Sequence, residues 1–456
     1  MEFLALPLPE TIAALETQYQ WDEALRSIRF WLQKELDRTL RRRLEYEIYR
    51  VTRLQKSYVY EEKTAFTMLA EAITDFSKEE FEKLIREKVL DYIYKEDGRY
   101  FEKRFVPNLF FAFPAYLSRK RTMDENREKA KRHLESRLDA LLKGEKPRRY
   151  RVVGRIRKWL SASALETLGT RPGALHCWLP FPMEDLQQSN PMLLSVSGPE
   201  YTLSHRFSET RTVYMATERP KTTDFSVQFS YEISEIVNEV DPSAVARLRA
   251  PMDTYLREEP PHIMYTPYLK TLSREIIGTE MNPYKKAKKI YDWITKNVFY
   301  SFMREYRTYE NLSLYGALNR KGDCGVQALL FITLCRMNGI PARWQSGWYA
   351  NPIEPGNHDW AFFYVDPYGW LPVDCSFGGA RRENESYRNF YFANLDAFRM
   401  VACKNHTALP EPQPKYLRND PFDNQTGEIQ TDERALEPEE VESKLEILSF
   451  EPIVDL

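Results

Sequence analysis

Apolar residues recur at three- and four-residue spacing through the first third of the chain. In "WDEALRSIRFWLQKEL" they fall at Leu25, Ile28, Leu32 and Leu36, and in "LRRRLEYEIYRV" at Leu40, Leu44 and Ile48. That period marks amphipathic helices with one buried stripe. "SKEEFEKLIREKVLDYI" opens on Ser77 and Glu80, a capping-box pair, before Phe81, Leu84, Ile85 and Val89. A last amphipathic stretch carries Leu134, Leu138 and Leu141 and stops near Gly144, a C-cap residue. A helical domain is therefore expected over residues 1–146. The arginine run Arg41–Arg43 offers weak evidence for phosphate binding; its ordinary reading is a solvated helix face.

From about residue 148 the period changes to two. "RYRVVGRIRKW", "GALHCWLPFP", "RTVYMATE" and "DFSVQFSYEI" are short runs of β-branched and aromatic residues separated by Pro, Gly, Ser and Asn. They predict a β-sandwich-like module over 147–260. Over 261–404 helices come first. "NPYKKAKKIYDWITKN" sets Ala287, Ile290, Trp293 and Ile294 on one side, and a long apolar helix starts near Cys324 and stops at Gly339, before Pro341. Strands follow in "ARWQSGWYA", "DWAFFYV" and "GWLPVD", the last two joined by the turn "DPYG". The segment 405–456 is rich in Pro, Asp, Glu and Asn and is expected to wrap the surface, with "KLEILSFEPI" adding one final strand.

Composition narrows the functional classes. Lys+Arg 65 against Asp+Glu 67 leaves a net charge of -2, which gives no global argument for a nucleic-acid partner. No run of roughly 18 apolar residues occurs, so no membrane-spanning helix is expected. The start "MEFLALPLPE" lacks a basic segment and a long apolar run, so the chain as written reads as cytoplasmic, with an exported, processed form also compatible. The cysteines Cys177, Cys324, Cys335, Cys375 and Cys403 are widely spaced and odd in number, without a CxxC, which argues against a disulfide framework or a zinc ribbon.

One cysteine stands apart. In "KGDCGVQALLFITLCRMNGIPARW", Cys324 lies between small and acidic residues where the apolar helix begins. A helix N-terminus stabilises a thiolate, which suits a nucleophile. Cys335, mid-helix, reads as core, as do Cys177 and Cys403. A nucleophilic thiol needs a base and a group that orients the base. His358, at the start of a strand, and Asp374, at the end of the next, supply both if the hairpin brings them to one face. A four-residue loop over Asp366–Gly369 would pair Val365 with Trp370 and put Asp374 on the wrong face. A bulge, or a loop one residue longer or shorter, corrects that; Asp359 is the fallback orienter. His406 is the competing base, while His133, His176, His205 and His262 read as structural or surface residues. A zinc site of Cys324, His358, Asp374 and Cys375 has suitable ligand types but no paired-ligand spacing.

"GDCGVQALLFITLCRMNGIPARWQSGW" followed by "HDWAFFYVDPYGWLPVDCSFG" resembles the transglutaminase-like core of bacterial proteins, a branch of the papain-like cysteine enzymes. The segments "DFSKEEFEKLI", "CWLPFP" and "PKYLRNDPFDNQTGEI" are similar to regions that accompany this core in multidomain members. One departure is Cys375, where a proline is expected; space-filling is its plainest role. The resemblance implies an α+β multidomain chain, with helices packed on an antiparallel sheet in the papain-like core. It implies Cys324 as nucleophile, His358 as base and Asp374 as acid, and acyl transfer or hydrolysis at carboxamide or peptide bonds through a thioester. The backbone N–H of Cys324 would serve the oxyanion, with Tyr315 or Trp293 as second donor. Trp344, Trp348 and Trp360 either line an acceptor groove or pack in the core. Such chemistry calls for no cofactor and no metal. A protein or peptide substrate is expected, with no nucleic-acid or membrane partner. A scaffold that keeps the fold without turnover is the alternative, and cross-linking and hydrolysis both stay open.

Overall fold

The structure is a computed structural model that describes residues 2–454 apart from 96, 169–172, 199, 220–222, 247 and 417–423. Part of the expected surface-wrapping segment, 417–423, thus lies outside the described residues. The chain divides into two compact units that interleave along the sequence. The first is Met1–Met123 with Glu258–Thr266 and Val298–Val326; the second is Asp124–Arg257, Pro267–Asn297 and Gln327–Leu456. No helix among the described residues is long and apolar enough to cross a membrane.

In the first unit the helical periodicity is realised as Trp21–Leu32, Arg38–Lys56, Glu62–Ala72 and Lys78–Arg86, among others. The Ser77–Glu80 capping box forms as expected. Leu36 falls between helices instead of extending one, because Asp37 caps a fresh start, accepting from the N–H groups of Thr39 and Leu40 at 2.8 and 3.1 Å. The unit is not wholly helical. Tyr58–Glu61, Gly98–Glu102 and Tyr92–Lys95 form a three-stranded antiparallel sheet with Gly98–Glu102 in the centre. Four- and five-residue strands leave too little alternation to be read between helices. The arginine run is used in packing: Arg41 donates to the carbonyls of Leu32 and Lys34, Arg42 lies 4.7 Å over Phe3, and Arg43 is buried against Glu47.

The second unit contains two four-stranded antiparallel sheets and a third sheet that carries the chemistry. The first has the order Val441–Pro452, Arg149–Leu160, Asp224–Ser234, Gln188–Val196. The second runs Glu428–Thr431, Gly173–Pro180, Thr212–Arg219, Thr202–Leu203. Val152, Ile156, Val227 and Phe229 from one and Leu175, Leu179 and Val213 from the other share a single apolar core. This is the sandwich that the alternating pattern predicts. The C-terminal part is built into it. Val441–Pro452 is the expected final strand, but Glu428–Thr431 is a second, fully buried one, so this part does not simply wrap the surface. Its pairing with Gly173–Pro180 is far in sequence and invisible locally.

The third sheet has the order Gly369–Val373, Gly356–Val365, Ala342–Tyr349, Arg399–Cys403, antiparallel throughout. At its edge Gly347 approaches the Arg399–Cys403 strand so closely that a Cβ would stand 1.9 Å from the Met400 carbonyl oxygen. Helices Pro267–Ile277, Pro283–Asn297 and most of Cys324–Met337 belong to the same unit. Phe331 meets Phe363 edge-on at 5.9 Å, so the apolar helix packs on this sheet. Gly339, at φ 71°, ends that helix, and the Ile340 N–H reaches back to the Cys335 carbonyl at 3.0 Å.

Candidate active site

The loop between Gly356–Val365 and Gly369–Val373 decides where Asp374 points. Val365 pairs with Gly369 and Ala361 with Val373, so the loop is three residues, one shorter than the turn signal suggests. The pairing continues without a bulge. Alternation then brings Asp374, the residue after Val373, to the face of Trp360 and His358. His358 Nε2 lies 2.6 Å from Asp374 Oδ2, with both side chains buried. Asp359, on the opposite face, accepts instead from Gln425 Nε2 at 2.8 Å. Asp374, and not Asp359, is the carboxylate that holds this ring.

The carboxylate divides its two oxygens. Oδ1 caps the short helix Cys375–Gly379, accepting from the Phe377 N–H at 2.9 Å and the Ser376 hydroxyl at 3.0 Å. Oδ2 takes His358 and, also at 2.6 Å, a guanidinium N–H of Arg399. Arg399 donates in turn to Asp396 Oδ2 at 2.9 Å, an oxygen that also accepts from the Tyr391 hydroxyl. The result is a buried chain of alternating charge, His358–Asp374–Arg399–Asp396. Gly378, in the short helix that Asp374 caps, lets Tyr291 pack close: a Cβ there would stand 1.9 Å from the Tyr291 hydroxyl.

Burial acts on both members of the pair. It disfavours the Asp374 carboxylate, yet the His358 ring, Arg399 and the hydrogen bonds from the helix start outweigh it and hold the carboxyl well below the usual range. Burial lowers His358 below its ordinary value; Asp374 pulls it up and Arg399 pushes it down again. Asp374 is therefore the anion and His358 the neutral ring near pH 7. With Nε2–H donated to Asp374, Nδ1 is the nitrogen left to exchange a proton.

Cys324 opens its helix in the first unit. Asp323 caps that helix, its Oδ1 accepting from the Val326 N–H at 3.1 Å and the Tyr306 hydroxyl at 2.7 Å. Desolvation pushes the Asp323 carboxyl up to about 6. The thiol thus sits at a capped helix N-terminus, as its sequence setting predicts. None of the five cysteines is in a disulfide. Burial pushes the thiols of Cys177, Cys335 and Cys375 up, Cys375 with help from Asp374, which makes them poor nucleophiles.

Of the remaining sequence candidates, only Trp360 joins the pair, its ring stacked 5.7 Å from His358. Trp344 and Trp348 alternate to the other face of the sheet. Trp348 is buried against Phe229 in the sandwich core, and Trp344 is buried beside His406, so neither presents a groove. Trp293 lies half-buried on helix Pro283–Asn297, and Tyr315 packs on Tyr309 in the first unit. Among the described residues no group of three or more His, Cys, Asp or Glu side chains is placed to hold a metal ion. The residues that the sequence did not reveal are Arg399, Asp396 and Ser376. A single arginine inside the apolar run "DAFRMVAC", three residues after an aspartate, was the available signal.

Residues 270–375, which hold Cys324, His358 and Asp374, match the family model of the Transglutaminase-like superfamily. The chain carries a transglutaminase-like core. The chain is also similar to other proteins. An uncharacterised protein of Haemophilus influenzae is 30% identical over 25% of this chain, a match that spans 38% of that protein's length. A candidate cysteine protease from Cytophaga hutchinsonii shares 16% identity with a TM-score of 0.44, over 67% of this chain and 92% of its own. The periplasmic domain of TgpA from Pseudomonas aeruginosa shares 15% identity with a TM-score of 0.28, over 52% of this chain and 91% of its own.

Proposed function

We propose that this chain is a cysteine-dependent acyl-transfer enzyme acting on carboxamide or peptide bonds of a protein or peptide substrate. The reading rests on one observation above the rest: a buried imidazole held at 2.6 Å by a carboxylate that is itself anchored by a helix start and a guanidinium. Such investment orients a base; a packing histidine does not need it.

In this reading the Cys324 thiol gives its proton to His358 Nδ1 as sulfur attacks the carbonyl carbon. The imidazolium, stabilised by Asp374, returns that proton to the departing amine or ammonia, leaving a thioester. Water or a primary amine then adds to the thioester, losing a proton to His358. The same proton passes to the sulfur as the bond to Cys324 breaks. The Cys324 backbone N–H serves the oxyanion, with Tyr315 or Trp293 as the second donor. Neither metal nor cofactor is required by these steps.

The test is intact-mass analysis of glutamine-containing peptides incubated with the chain, with and without a primary amine, alongside Cys324→Ala. Amine incorporation lost in the variant supports a transferase. Deamidation or cleavage lost in the variant supports a hydrolase on the same thiol. Unchanged turnover in Cys324→Ala would overturn the assignment.

A further inference from the structure

The chain of charge behind His358 extends one step further than an orienting acid requires. Arg399 is completely buried, on the edge strand Arg399–Cys403, and its guanidinium reaches the same Asp374 oxygen that holds the imidazole. Its other N–H binds Asp396, whose second oxygen accepts from the Phe398 N–H at 2.8 Å. The Phe377 ring is shared: His358 packs against it at 4.5 Å and Arg399 lies over it at 4.4 Å. Two rigid groups therefore meet on one carboxylate oxygen and one aromatic ring.

We propose that Arg399, backed by Asp396, is a positioning residue that clamps Asp374 beneath His358 for the reaction. The inference rests on the acyl-transfer reading of this site. A planar guanidinium delivers two N–H groups in fixed directions, so it fixes both carboxylates at once. Without it Oδ2 would keep only the imidazole as partner, and the carboxylate would be fixed by its Oδ1 contacts alone. Asp396 matters as counter-charge: it balances the guanidinium, so that the imidazolium formed during the reaction does not meet an uncompensated cation. The other ionisable groups around this chain include Tyr391, Tyr349, Tyr291, Arg381 and Cys375. Burial keeps the three phenols and the thiol neutral, and Arg381 lies over the Phe377 and Tyr391 rings at 5.4 and 5.7 Å. Arg399 is thus the cation in direct contact with Asp374.

The test reads the His358 ring by NMR titration of histidine-labelled protein, assigned with His358→Ala, which is practical with His 6 in the chain. Arg399→Gln removes the cation; Arg399→Gln with Asp396→Asn removes one charge of each sign and guards against loss of folding. The expected result is a His358 midpoint moved to higher pH in the single variant and by less in the double. Turnover should fall on the order of a hundredfold, in kcat rather than KM. Arg399→Lys keeps the charge but not the fork, so its midpoint should stay nearer the wild type while kcat drops. An unmoved midpoint with unchanged kcat, in the double variant and in Arg399→Lys, would overturn the clamp. Absence of wild-type turnover with a moved midpoint would instead overturn the acyl-transfer reading, and with it the clamp's role in a reaction.

Discussion

Two buried networks of charge, one in each unit, look alike and do different things. In the first unit Arg43, Glu47, Arg50 and Glu16 form a ladder of ion pairs on and beside helix Arg38–Lys56, with side chains at most 8% exposed. Arg50 also donates to the Thr308 carbonyl at 3.2 Å and Tyr46 to the Arg307 carbonyl at 3.2 Å, which binds residues 298–326 to the N-terminal helices. In the second unit His358, Asp374, Arg399 and Asp396 alternate in the same way. The first ladder is closed: every member is a carboxylate or a guanidinium paired within it. The second ends on an imidazole with one nitrogen uncommitted to Asp374. Buried charge by itself specifies structure; a terminal ring nitrogen left over from the pairing, able to exchange a proton with a reacting group, is what turns such a chain toward chemistry.

The comparison breaks most sharply at the His358 end of the second chain and at the thiol proposed to work with it. His358→Ala and Cys324→Ala should each lower kcat/KM by about ten-thousandfold or more, with little change in melting temperature, and Asp374→Asn should approach that loss. Steady-state kinetics beside thermal melts check this. In the first ladder the signs reverse. Arg50→Met leaves Glu47 with Arg43 alone and takes away the Glu16 partner, and should cost about 3 kcal/mol in denaturant unfolding, while leaving the turnover of molecules that stay folded intact.

Acidity sharpens the contrast further. Burial pushes the Glu16 carboxyl up to about 8, with Arg50 opposing. Its folded-state value lies above the unfolded one, so its contribution is fullest below about pH 4.5 and is lost as pH rises toward 8. His358 and Asp374 are both lowered in the folded state. Their contributions are present above the unfolded values, near 6.5 and 3.9, and are lost as pH falls through the folded ones. Melts across pH 5 to 8 should therefore lose stability with rising pH less steeply in Glu16→Gln, and lose it with falling pH less steeply in His358→Ala. At pH 7 Glu16→Gln should be the smallest effect, within about 0.5 kcal/mol, because a carboxyl that burial already protonates gives up little.

Legibility in the sequence followed locality. The capping box at Ser77, the stop at Gly339 and the inward alternation of Val152 and Ile156 are written within a few neighbouring residues, and the structure repeats them. The Cys324, His358, Asp374 order was readable because a cysteine, a histidine and an aspartate each sit near an element's end. Which face Asp374 would take was not, since one residue of loop length reverses it. Glu428–Thr431 was missed because its partner strand lies far upstream, and the charge in Arg399 reads as an interruption until Asp374 is known to face it. Trp348 could be read as groove or as core, and what decides for core is a neighbour, Phe229, from another sheet.

The central claim is that the Cys324 thiol works with the His358–Asp374 pair. Its most direct test is the pH dependence of Cys324 alkylation, followed by peptide mass mapping in wild type, His358→Ala and Asp374→Asn. The account predicts that wild-type Cys324 is modified rapidly at pH 6, where an ordinary thiol with a pKa of about 8.5 is nearly inert, and that both variants lose this reactivity. Identical profiles in all three proteins, each following an ordinary thiol, would contradict it.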